Sequence, residues 1–199
     1  RGREDWAALD DVLARQLALA ESSEAQLGLH LLRADLSLNE QEKPLDALVH
    51  IGQTDTLVRE APPTSLITLL EALTNHDETR LEASQRLQGP YRQLKRWEPL
   101  YKALMGQLRL EGRADNIALT MEAMAVAKDH LRDPRLALKT ALPTFRLTPS
   151  DLSLRSAIVA LAEETGYWDE LFDEGEAALD TIADASIRGA HARWLGDTM

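Results

Sequence analysis

One stretch of this chain repeats another. WAALDDVLARQLAL, from Trp6, and WEPLYKALMGQLRL, from Trp97, agree at the Trp and at Leu9/Leu100, Leu13/Leu104, Gln16/Gln107, Leu17/Leu108 and Leu19/Leu110, all at an offset of 91 residues. A third opening of this kind, WDELFDEGEAAL, begins at Trp168, 71 residues after the second. A second marker keeps the same rhythm: PLDAL at Pro44 follows Trp6 by 38 residues, and PRLAL at Pro134 follows Trp97 by 37. Two unrelated markers with nearly equal separation point to an internal repeat, and repeats of this length occur where small structural units stack on one another.

The unit being repeated is helical. Apolar residues recur at steps of three and four, as in Trp6, Leu9, Leu13 and Leu17, in Leu100, Leu104 and Leu108, and in Ile117, Met121 and Met124. No segment alternates with the period of two that a half-buried strand requires. Aromatic residues make up only 5% of the chain, so the core is built from Leu and Ala, residues of high helix propensity. Ten Gly and eight Pro are too few for an all-β fold with a turn about every ten residues.

Punctuation divides the chain into about eleven helices, expected at 4–20, 23–39, 44–60, 64–75, 78–94, 97–111, 114–131, 134–147, 150–165, 168–182 and 184–196. Ser23 with Gln26 fits a capping box, and Thr64 and Ser150 are expected N-caps. Pro44 and Pro134 sit where a first helical turn tolerates a missing N–H. Gly112 and Gly166 are expected just past helix ends. Pro90, after Gly89, is expected to kink or split the fifth helix, and Pro143 to disturb the eighth. Short connections make consecutive helices antiparallel neighbours. The fold expected is all-α, a right-handed α-solenoid of antiparallel hairpins, forming a single helical-repeat domain over 1–199 with units near 3–94, 95–166 and 167–199. The first unit carries an extra helix near 78–94, and the last is cut short. Trp6, Trp97 and Trp168 are expected to lock each unit to the one before it.

RLALKTALPTFRLTPSD, from Arg135 to Asp151, resembles the second helix of a tetratricopeptide repeat: Ala137, Ala141, Phe145, Leu147 and Pro149 stand at that family's small, packing and closing positions. ETGYWDEL, from Glu164 to Leu171, resembles the turn into a following repeat, with Gly166 and Trp168 in place. The whole pattern is similar to long-unit tetratricopeptide-like arrays of large bacterial proteins. The resemblance implies protein–protein binding or scaffolding, with no cofactor.

A search for reactive groups is consistent with that implication. Without cysteine there is no disulfide, thiolate zinc site or cysteine nucleophile. The five His (His30, His50, His76, His130 and His191) include no pair spaced i, i+4, and no HExxH, GxSxG, Walker or GxGxxG motif occurs. His30 and His50 read as packing residues among Leu. His76-Asp77-Glu78 reads as a solvated helix entry. No catalytic or metal-ligating residue is assigned.

Charge is unevenly spread. The net charge of −11 argues against a nucleic-acid partner, because phosphate binding needs a basic surface. Yet Arg80 to Arg113 holds eight bases against three acids, while Ser156 to Ile187 holds nine acids and no base. The basic stretch is read either as a patch for an acidic or phosphate-bearing partner, placed on Arg92, Lys95, Tyr101 and Lys102, or as bases that face acids on neighbouring helices. No run of roughly 18 apolar residues suggests a membrane span. Arg1 is not a start residue, so the chain reads as part of a longer protein, cytoplasmic or periplasmic. The function expected is a non-catalytic interaction or scaffold module; the same features fit the repeat portion of a larger multidomain enzyme or secretion component. An interrupted last repeat is expected to expose some of Ile187, Ala190, Trp194 and Leu195 and to favour self-association.

Overall fold

The computed structural model describes residues 3–58, 61–110 and 116–198, and among them lie eleven helices and no strand. They are α1 (Arg3–Leu19), α2 (Ser23–Asp35), α3 (Pro44–Gly52), α4 (Thr64–Leu73), α5 (Arg80–Gln93), α6 (Trp97–Leu110), α7 (Ile117–Ala125), α8 (Pro134–Leu147), α9 (Leu152–Thr165), α10 (Trp168–Thr181) and α11 (Ala185–Thr198). The chain is all-α and forms two compact units, Arg1–Arg96 and Trp97–Met199. α10 and α11, in the stretch from 167 onward, pack inside the second of these.

Four joints between helices share one backbone device. Glu42, Lys95 and Arg132 have φ of 56°, 54° and 56°, and Gly166 has φ of 72°. The residue after each of three of them leaves the helical region with a positive ψ: Lys43 (φ −118°, ψ 77°), Asp133 (φ −123°, ψ 83°) and Tyr167 (φ −88°, ψ 59°). At all four joints the next helix starts two residues after the left-handed one, at Pro44, Trp97, Pro134 or Trp168. The left-handed residue reverses the chain, and a following proline keeps the residue before it out of the α region. Pro44, Trp97, Pro134 and Trp168 among the sequence markers of the repeat are therefore the first helical residues after a reversal, while Trp6 lies inside the first turn of α1. The Gly166 cap matches the sequence expectation; the Gly112 cap lies outside the described residues.

Two of these joints agree bond for bond. α2 and α7 each end in a widened π-type turn, Leu36–Glu40 and Val126–His130. Gln41 N–H donates to Leu36 O at 3.1 Å and Lys43 N–H to Ser37 O at 2.8 Å; Leu131 N–H donates to Val126 O and Asp133 N–H to Ala127 O, both at 3.0 Å. The offset is 90 residues throughout. The repeated tryptophans lie at the same place: Trp97 stacks on His130, with centroids 3.6 Å apart and planes 3° from parallel, and Trp6 lines a hollow with Glu40, Gln41, Glu42 and Lys43. The contact seen for Trp97 is thus inside its own unit, against the widened turn, because that turn presents a flat imidazole face. The joint ending α5 is tighter, with Arg96 N–H donating to Tyr91 O at 2.8 Å.

Several local expectations are corrected. α3 stops at Gly52 rather than near 60, because Thr54 bonds back to Ile51 O through both its N–H (2.9 Å) and its hydroxyl (2.7 Å), closing a turn. Ser22, not Ser23, caps α2 by accepting Ala25 N–H at 3.1 Å, while the Gln26 amide reaches back to Ala20 O at 2.9 Å. Asp151, not Ser150, caps α9 through Leu154 N–H at 2.8 Å. Thr64 is the first helical residue of α4, after Pro63. α5 runs on through Pro90, in its last turn, since Gly89 has no Cβ to meet the proline ring. α8 runs on through Pro143, which is exposed, so water can serve the carbonyl that loses its donor.

The second unit is organised around α8. Ala137, Leu138, Ala141, Leu142 and Phe145 are buried on it, and Leu154, Ile158, Leu161, Ala162 and Leu171 of α9 and α10 belong to the same cluster. Its two buried threonines are satisfied: Thr140 bonds Tyr101 and Thr144 bonds Thr120, each at 2.7 Å between oxygens. In the first unit the core runs through Ala47, Leu48 and Ile51 of α3 and Leu66, Ile67, Leu70 and Leu73 of α4. α1 buries Leu13 and is held to α2 by a bidentate ion pair, Arg33 Nε and Nη2 donating to Asp10 at 2.7 and 2.9 Å.

Three non-glycine residues in left-handed backbone are stored strain, of about 1–2 kcal/mol each. Arg132→Val, with a branched Cβ, is expected to lower the unfolding free energy by about that amount, while Arg132→Gly leaves it equal or higher. Urea unfolding of both variants checks this, and equal midpoints would show that the joint is unstrained.

Candidate interaction surfaces

The basic stretch is largely occupied by the molecule itself. Arg80 pairs with Asp77 at 2.5 Å and donates to Thr74 O. Arg86 Nη1 donates to both oxygens of Asp55, 31 residues away, at 2.8 and 2.6 Å, and its Nε to Glu82 at 2.9 Å. Of the four residues singled out by sequence, Arg92 is exposed near the end of α5 and donates to Gln88 at 3.1 Å. Lys95 is the left-handed residue of the joint that follows. Tyr101, half-buried on α6, is bound to Thr140. Lys102 is exposed and pairs with Glu98 at 2.7 Å, which holds that carboxyl below its ordinary range. Arg92 and Lys95 belong to the first unit, Tyr101 and Lys102 to the second. Glu111 and Arg113 lie outside the described residues.

Tyr91, also on the basic stretch, is buried on α5 and donates its hydroxyl to Glu71 at 2.8 Å. Burial, then the bond to Glu71, pushes its pKa up, so the phenol stays protonated.

His30, His50 and His191 sit in packing roles. His30 on α2 and His50 on α3 are half-buried with ring centroids 6.4 Å apart, and burial, with Arg33 close by, holds both below the usual imidazole range. His191, which no motif marks, is fully buried on α11. Its Nε2 lies 2.9 Å from Gly175 O and its Nδ1 2.8 Å from Arg155 Nη2. A carbonyl accepts and a guanidinium donates, so Nε2 carries the proton and Nδ1 accepts. Phe145 and Trp194 pack on the ring, and Arg155 lies over Trp194 at 4.6 Å. With both nitrogens committed and no exposed surface, this imidazole fastens α11 to α9 and α10. Leu195, on the same face, is buried against Gly175, where even a Cβ would come within 2.5 Å of it. Of the four residues expected to be exposed at this end, Ile187 and Ala190 are, Trp194 is half-buried and Leu195 is inside.

The largest hollow described in the first unit is a groove of about 700 Å³ between α2 and α4. Leu31, Leu69 and Ala72 line its base, and Leu32, 55% exposed, stands on its edge. Asp35 and Asn39 stand on the α2 side, bonded to each other at 2.7 Å, with Ser65 and Thr68 opposite. Gly28 opens one end: a Cβ there would meet no atom within 4 Å. Among the described residues, none that lines the groove carries a positive charge. Sequence reasoning missed this groove because it depends on α2 meeting α4 across the intervening α3.

Among the described residues, no group of three His, Cys, Asp or Glu side chains could hold a metal ion, and no helix is long and apolar enough to cross a membrane. No protein-family model, no curated protein and no solved structure matches the chain.

The buried histidine gives stability a pH dependence of definite sign. Burial, which outweighs the Gly175 bond, lowers the folded pKa below 6.5, and nearby Arg155 adds to the shift. The unfolded chain then takes up a proton that the folded one refuses. Stability is full above about pH 6.5 and is lost as the pH falls from there toward the folded value. His30 and His50 act in the same sense. Urea midpoints are expected to fall between about pH 7.5 and about pH 5.5, and less steeply in His191→Gln. An unchanged slope in that variant would remove His191 from the account.

Proposed function

We propose that this chain is a non-catalytic protein–protein interaction module, tetratricopeptide-like in its repeat, that takes a peptide or protein segment on its helical surface. The groove between α2 and α4 carries this reading. From Gly28 to Asn39 it runs along three helical turns, about 16 Å at 1.5 Å per residue. That length suits a short docked helix or about five residues of extended chain. An apolar base with hydroxyl, amide and carboxylate groups at the edge is the makeup of a peptide site, where burial gives affinity and the rim gives register. The spacing of the later joints is in keeping with this repeat type: Arg132 to Gly166 is 34 residues, the tetratricopeptide period, and Lys95 to Arg132 is 37, while Glu42 to Lys95, which includes an extra helix, is 53.

Gly28→Leu tests the reading cleanly. The new side chain enters open space in the groove, and Leu favours the helix over Gly by up to about 1 kcal/mol. A photo-crosslinking residue placed at Thr68 in the native cell is expected to capture a protein partner. The Gly28→Leu variant is expected to lose that crosslink while melting at the same or a higher temperature. A crosslink that survives the filled groove would sink the assignment.

A further inference from the structure

The first unit holds a second hollow, distinct from the groove between α2 and α4. It is a pocket of about 310 Å³ where the end of α3 meets α4 and α5. Ile51, Leu66 and Leu70, all buried, line it together with Val58, Pro62 and Pro90. Arg86 and Asp55 stand at its margin. The same two residues also border a shallower hollow of about 570 Å³, where Glu78, Leu81 and Glu82 join them. The ion-paired group Asp55–Arg86–Glu82 is thus a ridge with an apolar hole on one side and an acidic shelf on the other.

The charge of the shelf selects what can lie there. Among the described residues, three carboxylates face one guanidinium, and that guanidinium is already shared between Asp55 and Glu82. An anion would have to displace a carboxylate to reach Arg86. A cation needs no rearrangement: the Asp55 and Glu82 side chains remain 61% and 52% exposed, and a carboxylate has lone pairs beyond those that Arg86 occupies. The pocket, at the lower limit of roughly 300 Å³ for ligand sites, fits an inserted side chain rather than a whole helix.

We propose that this pocket and shelf bind a protein segment in which a large apolar side chain is flanked by Lys or Arg. The apolar side chain fills the hole between α3, α4 and α5, and the neighbouring cation lies on Glu78, Glu82 and Asp55. The proposal rests on the interaction-module reading and adds to it a second site with a stated partner chemistry.

The amide NMR spectrum of the whole chain, titrated with the amidated peptide Gly-Arg-Leu-Arg-Gly, tests it. Shifts are expected at Ile51, Thr54 and Leu66, with affinity falling severalfold between about 50 mM and about 500 mM salt. Gly-Glu-Leu-Glu-Gly is expected to give none. Val58→Trp, which fills the pocket from a half-buried loop position, is expected to abolish the shifts. Glu78→Lys, an exposed change that leaves the core intact, is expected to weaken binding about fivefold, so the test stands even if the filled variant does not fold. Equal response to the acidic peptide, indifference to Glu78→Lys, or no response at millimolar peptide would overturn the proposal. Shifts confined to α2 and α4 and abolished by Gly28→Leu would overturn this site while leaving the interaction-module reading intact.

Discussion

Four of the turns between helices depend on a backbone torsion that side-chain-bearing residues resist. At Glu42, Lys95, Arg132 and Gly166 the chain enters the left-handed region for one residue and begins a new helix two residues later. Only one of the four is glycine, so three joints keep a strained conformation that the surrounding packing must maintain. What maintains it is visible at Arg132. The bonds that close the widened turn fix the end of α7, Pro134 starts α8 without needing a donor, and the buried face of α8 anchors the far side. If the reversal failed, α8 would leave its place beneath α9 and α10, and the core of the second unit would have no centre.

The same joints explain how much of the fold the sequence made legible. Pro44, Pro134, Trp97 and Trp168 were readable as a rhythm because each opens a helix at a fixed place after a reversal. Helix phase was readable because Leu and Ala fill every buried face. The end of α3 was not: Gly52 was not legible as a stop because Leu57 and Val58 continue the apolar pattern, and the turn there is made by Thr54 folding back on Ile51. Nor were the non-glycine caps, since Glu, Lys and Arg announce nothing about positive φ. Gly166, the one conventional signal among the four, was read correctly.

The surfaces were harder to read than the fold. A segment with a local excess of five positive charges looks like a patch in one dimension. In three dimensions Arg86 reaches 31 residues back to Asp55, Arg80 turns onto Asp77, and Lys102 takes Glu98 from the previous helical turn. These ion pairs tie turns and helices of the molecule to one another. The groove between α2 and α4 and the pocket beside Ile51 are mostly apolar inside, with polar groups around them, and both form where non-adjacent segments meet.

The locality of the joints also bears on how the chain comes to be folded. Every backbone bond that closes the reversals at Glu42, Lys95, Arg132 and Gly166 spans six residues or fewer. Loops this short close on a submicrosecond timescale, and the strained torsion is then held by the neighbouring helix as it packs. Helical hairpins assembled from near neighbours belong to the class of low contact order, which folds rapidly. During synthesis each reversal is complete soon after its residues leave the ribosome, and the preceding helix already has a neighbour before the following unit exists. A chain with a Leu-rich core and no cysteine to fasten it is thereby spared a long interval with its apolar faces bare, the interval in which aggregation begins.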